Sequence, residues 1–313
     1  MTTASRPTKS DIDRACQALE GIVQETPLLP FADADDLWLK PEVFQPAGSF
    51  KVRGVYHAVA RMSTERRAAG VSTVSAGNTA KALAWAARQF GVEARSLMPD
   101  SAPRSKVEAM RALGGMPILV PVADVFAYLK EHRWEDEPWA FVHPWTSRDV
   151  MTGHGTMGLE IVAALPEVDT VYIPVGGGGL LGGVGSALKA AKPSLRVVAV
   201  EPEGCPSLHA AIAAGHPVDV DCETICDGVA VPYITEEMFP LLSDLADEVV
   251  LVSEDDVKQT IRCLATRAHL VAEGAGALAT AAALRTPVAD RGRTVCIITG
   301  GSIDADKLGM ILQ

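Results

Sequence analysis

From Val71 onward the chain switches repeatedly between two hydrophobic periods. Short apolar runs at 71–74, 94–98 and 117–120 have the length of buried strands. Between them, segments 79–90, 103–113 and about 124–132 carry apolar residues every three or four positions, the spacing that gathers them on one face of a helix. A second run of the same kind fills the C-terminal half, with strands predicted at 171–175, 196–201, 248–252 and 294–299. Near the N-terminus, Ile12, Ala15, Cys16, Leu19 and Ile22 predict a helix over 9–23, with Ser10 as its cap. Strands that alternate with helices join a parallel sheet covered on both faces. The predicted fold class is therefore α/β, with two domains, each a largely parallel sheet flanked by helices. No Gly/Ser-rich linker marks their boundary, and no repeat of fixed period is present.

Composition narrows the function. At 313 residues and 48% hydrophobic content, the chain can bury one large core or two moderate ones. Its 39 acidic and 28 basic residues give a formal charge of -11, which disfavours nucleic acid and anionic membrane surfaces as main partners. No apolar run reaches the roughly 20 residues that span a bilayer, and residues 1–30 lack the basic-then-apolar layout of a signal peptide. A cytoplasmic enzyme with a small-molecule substrate is expected. The six cysteines are scattered, as suits reduced thiols, so no disulfide is expected. Cys222 and Cys226 lie close together but lack the second Cys or His pair of a zinc site, and no metal ligand is assigned there.

Two segments carry candidate chemistry. Gly176-Gly177-Gly178-Gly179 follows an apolar strand pattern and precedes a helix predicted to start near Leu180. Such a run leaves consecutive backbone N–H groups to wrap an anion at the positive end of the helix, and phosphate is the natural guest. Gly177, Gly179 and Gly182, with Glu201 about 20 residues on, also spell the layout of a dinucleotide site. Four uninterrupted glycines suit a compact phosphate better than an extended pyrophosphate. The other segment, Ala47-Gly48-Ser49-Phe50-Lys51-Val52-Arg53-Gly54, holds a lysine with no acidic neighbour. A lysine in such a stretch is usually a solvated helix residue. Where its environment lowers its pKa, it becomes an amine able to carry an aldehyde.

These motifs and their order resemble the pyridoxal-phosphate enzymes of the tryptophan-synthase-β fold (fold type II), nearest the serine/threonine dehydratase and serine racemase branch. The resemblance covers nearly the whole chain. It begins with Thr26-Pro27-Leu28-Leu29, Leu39-Lys40-Pro41-Glu42, Gln45-Pro46, Gly48-Ser49-Phe50-Lys51 and Ser75-Ala76-Gly77-Asn78. It continues with His143-Pro144, Gly153-His154-Gly155-Thr156, the glycine run, Val200-Glu201-Pro202 and Asp227-Gly228-Val229. It closes with Glu273-Gly274-Ala275-Gly276-Ala277 and Thr299-Gly300-Gly301-Ser302-Ile303-Asp304. The resemblance implies pyridoxal 5'-phosphate carried on Lys51, its phosphate held by Gly176, Gly177, Gly178 and Gly179, and its ring beside Phe50. Asn78 is implied to meet the ring hydroxyl and Thr299 the pyridine nitrogen. Ser75, Ala76, Gly77, Asn78 and Thr79 are implied to grip the substrate carboxylate, and Glu273 is either a substrate-side carboxylate or a helix-start residue. Also implied are a smaller domain at 67–142, inserted in a larger one at 1–66 and 143–313, and a homodimer.

Two departures from the family pattern bear on activity. Thr79 stands where dehydratases commonly have His, and Gly77-Asn78-Thr79 looks more like threonine synthase. Ala76 stands where the racemases carry a serine that protonates the opposite face of the carbanion. An alanine methyl moves no proton, whereas β-elimination runs with one lysine and a proton source for the leaving group. The uncharged Thr299 hydroxyl likewise suits elimination better than transamination. The resemblance thus implies an ammonia-lyase that dehydrates and deaminates a β-hydroxy amino acid such as L-threonine or L-serine to a 2-oxo acid. A hydroxylated amino acid of hydroxyectoine-type catabolism is a further substrate, and threonine-synthase-like or cysteine-synthase-like replacement is the alternative reaction. Glu201 falls on a metal-ligand position of cation-dependent members, but Ser207 replaces an expected carboxylate, so no metal site is expected. His143, His154 and His209 read as structural. The chain ends soon after Gly301, and no C-terminal amino-acid-sensing domain is expected.

Overall fold

A computed structural model of the protein describes residues 4–313. Its strands are β1 (Leu29–Pro30), β2 (Leu37–Pro41), β3 (Val71–Val74), β4 (Ala94–Pro99), β5 (Met116–Val120), β6 (Ala140–Phe141), β7 (Thr170–Pro174), β8 (Arg196–Pro202), β9 (Glu248–Val252) and β10 (Thr294–Ile298). The first seven helices are α1 (Lys9–Leu19), α2 (Lys51–Arg61), α3 (Thr64–Ala68), α4 (Asn78–Phe90), α5 (Arg104–Ala112), α6 (Val122–Lys130) and α7 (Arg148–Ala164). The others are α8 (Gly179–Ala191), α9 (Ser207–Ala214), α10 (Phe239–Leu245), α11 (Glu254–Arg267), α12 (Gly274–Arg285), α13 (Val288–Arg291) and α14 (Ala305–Leu312).

The six-stranded sheet has the order β1-β2-β10-β7-β8-β9, and β1 is its antiparallel member. The four-stranded sheet, β5-β4-β3-β6, is parallel throughout and draws on residues between 71 and 141. β7 and β10 are buried along their whole length. Their apolar residues run without alternation, as strands covered on both faces require. Val171, Ile173, Val295 and Ile297 face one core, with Met157 and Ile161 of α7, Val184 of α8 and Leu242 of α10. Tyr172, Cys296 and Ile298 face the other, with Ile261 of α11 and Leu278 of α12. The helices α7 and α8 pack so closely that a Cβ on Gly158 would stand 2.8 Å from that of Ala187.

A buried ionic cluster fixes the start of α2. Arg53 and Glu42 are both fully buried, with Arg53 Nε donating to Glu42 Oε2 at 2.7 Å. The same guanidinium donates to Thr156 Oγ1 and to Glu160, both on α7, and Glu160 also accepts from Lys40 of β2. Thr26 Oγ1 donates to the second oxygen of Glu42 at 2.7 Å. Residues far apart in sequence thus hold β2, α2 and α7 in one geometry, and Lys51 is the first residue of α2.

Two expectations fail. The cap of α1 is Thr8, not Ser10: Thr8 and Asp11 bond reciprocally, side chain to backbone, and the helix stops at Leu19 before a turn at Gly21, where φ is 70°. The cysteines are not all free, because Cys205 and Cys222 form a disulfide with Cα atoms 4.4 Å apart. After β8 the chain doubles back, and Glu223 N–H reaches the Gly204 carbonyl at 2.8 Å. That turn brings together two side chains whose sequence spacing gives no hint of contact.

Candidate active site

The carboxyl ends of parallel strands line up at one edge of a sheet, and the loops there converge. The loop after β3, the glycine run after β7 and the turn after β10 all border one cleft of about 490 Å³. Lys51 and Phe50 line it, as do Asn78, Thr299, Glu273 and the four glycines of the run. Ser75, Ala76, Gly77 and Thr79 line it too. Glu201, His143, His154 and His209 lie outside its lining.

Lys51 Nζ donates to the Pro144 carbonyl at 3.2 Å and sits 5.0 Å from the centre of the Phe50 ring. Desolvation pulls its pKa from 10.5 to about 8, against the field of Glu273. A usable fraction of free amine therefore exists near neutral pH. Phe50 is at once a wall of the cleft and a core aromatic, packed edge-on against His154 at 4.7 Å. Its N–H donates to the Thr299 carbonyl at 3.0 Å, and Gly301 N–H donates to the Gly48 carbonyl at 3.1 Å. These bonds lock the Lys51 loop to the turn that follows β10.

The glycine run makes a tight cradle. The first N–H of this turn with a backbone acceptor is that of Gly182, to the Gly178 carbonyl at 2.8 Å, which leaves those before it for a ligand. Gly178 has φ 90°, a Cβ on Gly179 would lie 2.9 Å from Trp145 Cα, and one on Gly176 would lie 2.8 Å from Val229 Cα. Side chains at these positions would collide with Val229, Leu242 and Trp145, so only glycine lets the turn pack this closely. The residues fit a phosphate held at the N-terminus of α8.

Across the cleft, Asn78 Nδ2 donates to Glu273 Oε1 at 2.6 Å, and Asn78 Oδ1 accepts from Ser302 Oγ at 2.7 Å. Glu273 stands at the N-cap position of α12 without a side-chain cap bond, and its carboxyl lines the cleft. Burial raises its pKa, while the Asn78 hydrogen bond and the charges of Lys106 and Lys81 oppose the shift. Ser75 Oγ accepts the Gly77 N–H at 3.0 Å, tightening the turn ahead of α4 without capping the helix itself. Thr79 is buried, and Ala76 packs beside the cluster of Ala80, Ala84 and Met110.

Glu201, fully buried at the end of β8, accepts the N–H groups of Leu208 and His209 at 2.7 and 2.9 Å, and so serves α9. Burial pushes its pKa up to about 7. Burial lowers that of His143 to about 3, and its Nδ1 accepts the Thr146 N–H at 3.1 Å. Among the described residues no group of three or more His, Cys, Asp or Glu side chains is placed to hold a metal ion, and no helix is long and apolar enough to cross a membrane.

Sequence reasoning missed Lys81, Lys106, Ser302, Asp227 and Trp145 as lining residues. Ser302 and Asp227 sit inside quoted motifs, and Lys81 follows Asn78 by one helical turn, the one local signal available.

Comparison with known proteins follows this geometry. A family model described as pyridoxal-phosphate dependent enzyme matches residues 19–300. The chain is 38% identical over 313 residues to a protein of Thermotoga maritima named L-threonine ammonia-lyase, covering 98% of this chain and 78% of that one. Among solved structures, maize serine racemase superposes with a TM-score of 0.91 at 30% identity, over 98% of this chain and 97% of that one. Isoform 2 of threonine deaminase from Solanum lycopersicum gives 0.88 at 29% identity, over 99% and 97%.

Proposed function

The chain belongs to the pyridoxal-phosphate dependent enzymes and is one of their lyases, and from that premise we propose that it removes water and then ammonia from L-threonine or L-serine. The observation that carries this reading is the convergence of a desolvated lysine, a phosphate-sized glycine cradle and an Asn78–Glu273–Ser302 network on one cleft. Bound there, the cofactor supplies an aldehyde and an electron-withdrawing ring.

The chain's own residues do the rest. The glycine run would hold the phosphate, Lys51 would hold the aldehyde and then take the α-proton of the substrate on Nζ, and Thr299 would offer an uncharged hydroxyl to the ring nitrogen. Asn78 would orient the ring hydroxyl, and the 75–79 loop with the start of α4 would receive the substrate carboxylate. Loss of the β-hydroxyl as water leaves an enamine that hydrolyses to the 2-oxo acid and ammonia. We also assign the smaller domain to 67–142, and read the enzyme as a cytoplasmic homodimer, a state that light scattering measures.

The test is release of 2-oxo acid from a panel of β-substituted amino acids. Wild-type protein should act on L-threonine or L-serine without added phosphate or sulfide, and Lys51→Ala should lose activity by several orders of magnitude. Turnover that requires either co-substrate would instead mark a replacement enzyme.

A further inference from the structure

One cation in the cleft has no part in the chemistry above. Lys81 stands on α4, and its Nζ donates to Ser302 Oγ at 2.7 Å, a neutral hydroxyl rather than a carboxylate. That hydroxyl spends its own proton on Asn78 Oδ1. The neighbouring Lys106 differs, because it pairs with Asp227. The buried carboxyl of Glu273 gives Oε1 to Asn78 and forms no ion pair with Lys81. Burial lowers the pKa of Lys81, with Glu273 opposing. A half-buried ammonium with no carboxylate in direct contact is costly, and a ligand that brings a negative charge into contact relieves that cost.

We infer that Lys81 is a specificity-determining residue whose ammonium is the counter-ion of a carboxylate on the amino-acid substrate. The inference rests on the amino-acid reading of this cleft. A phosphate is already matched by the glycine run, whereas one ammonium held by one serine hydroxyl suits a single carboxylate. That carboxylate is either the α-carboxylate, received next to the 75–79 loop, or a second acid on the side chain. Ser302 fixes the ammonium, and the bond from Ser302 to Asn78 couples it to the ring-hydroxyl position. A substrate lacking the acid would leave this charge buried and unmatched.

L-Alanine and L-aspartate separate the two sources, because neither has a β-leaving group and both bind without elimination. Calorimetric titration of the holoenzyme with each should show about 10- to 100-fold weaker binding to K81Q than to wild type, the worth of a charge-assisted hydrogen bond. K81R should retain most of the affinity. Equal weakening of both ligands identifies the α-carboxylate as the partner; weakening of L-aspartate alone identifies a side-chain acid. Unchanged affinity of K81Q for both, with wild-type cofactor absorbance and melting temperature, overturns the inference. So does a K81Q protein that has lost its cofactor absorbance, because Lys81 would then serve the cofactor. Since turnover is not read, a holoenzyme that binds amino acids but eliminates nothing sinks the lyase reading and leaves this one standing.

Discussion

Ala76 decides between two outcomes that share Lys51. The side chain lines the cleft, and its methyl has no proton to give to a carbanion. The enzyme should therefore give keto acid with little of the antipodal amino acid, and Ala76→Ser should introduce measurable racemisation. Chiral chromatography of unreacted substrate after partial turnover reads both. Rapid antipode formation by unmodified enzyme would mean that another group supplies the second proton. Lys51, Asn78 and the glycines were legible in the sequence because each lies in a contiguous motif with a local backbone reason to exist. Lys81 and Arg53 were not. Their meaning depends on Ser302 and Glu160, which lie 221 and 107 residues away in the chain.

Among the elements, β7 and β10 were read to within a residue or two, because a strand covered on both faces is apolar nearly throughout, whereas β2, whose run includes the buried Lys40, was not read as a strand. Nor were the helices α7 and α12 legible. Both are rich in glycine or alanine and buried around most of their surface, so they show no amphipathic stripe to read. The strands β1 and β6 are two residues long and exist through their neighbours. The start of α2 was likewise invisible, since the Arg53 cluster that holds it assembles only in three dimensions. Arg53→Met should destabilise the protein by about 3–5 kcal/mol, because Glu42 would be left buried without its cation. Urea unfolding of the cofactor-free protein measures this. A loss below about 1 kcal/mol would show that the cluster contributes little to holding α2.

In the whole molecule, the two sheets are joined in two different ways. On one side the joint is apolar: Val52, Val55 and Val59 of α2 pack with Leu83 and Ala87 of α4 and with Val150 of α7. At the cleft it is polar, with Lys106 paired to Asp227 and Lys81 bonded to Ser302, and beyond its lining Ser105 Oγ donates to Asp304 at 3.2 Å and Lys130 stands 3.5 Å from Asp219. A joint that is oily on one flank and ionic on the other responds unequally to electrolyte. Raising salt from about 0.1 to 1 M shortens the Debye length from about 10 to about 3 Å, which loosens exposed ion pairs and leaves apolar contacts intact. Hydrogen exchange at 75–79 and 227–231 should quicken with salt while β7 stays protected, and an equal response at both places would refute the asymmetry. If the exchange responds that way, ionic strength would act as a throttle on access, setting how often the mouth opens and so how fast product leaves, without touching the chemistry inside.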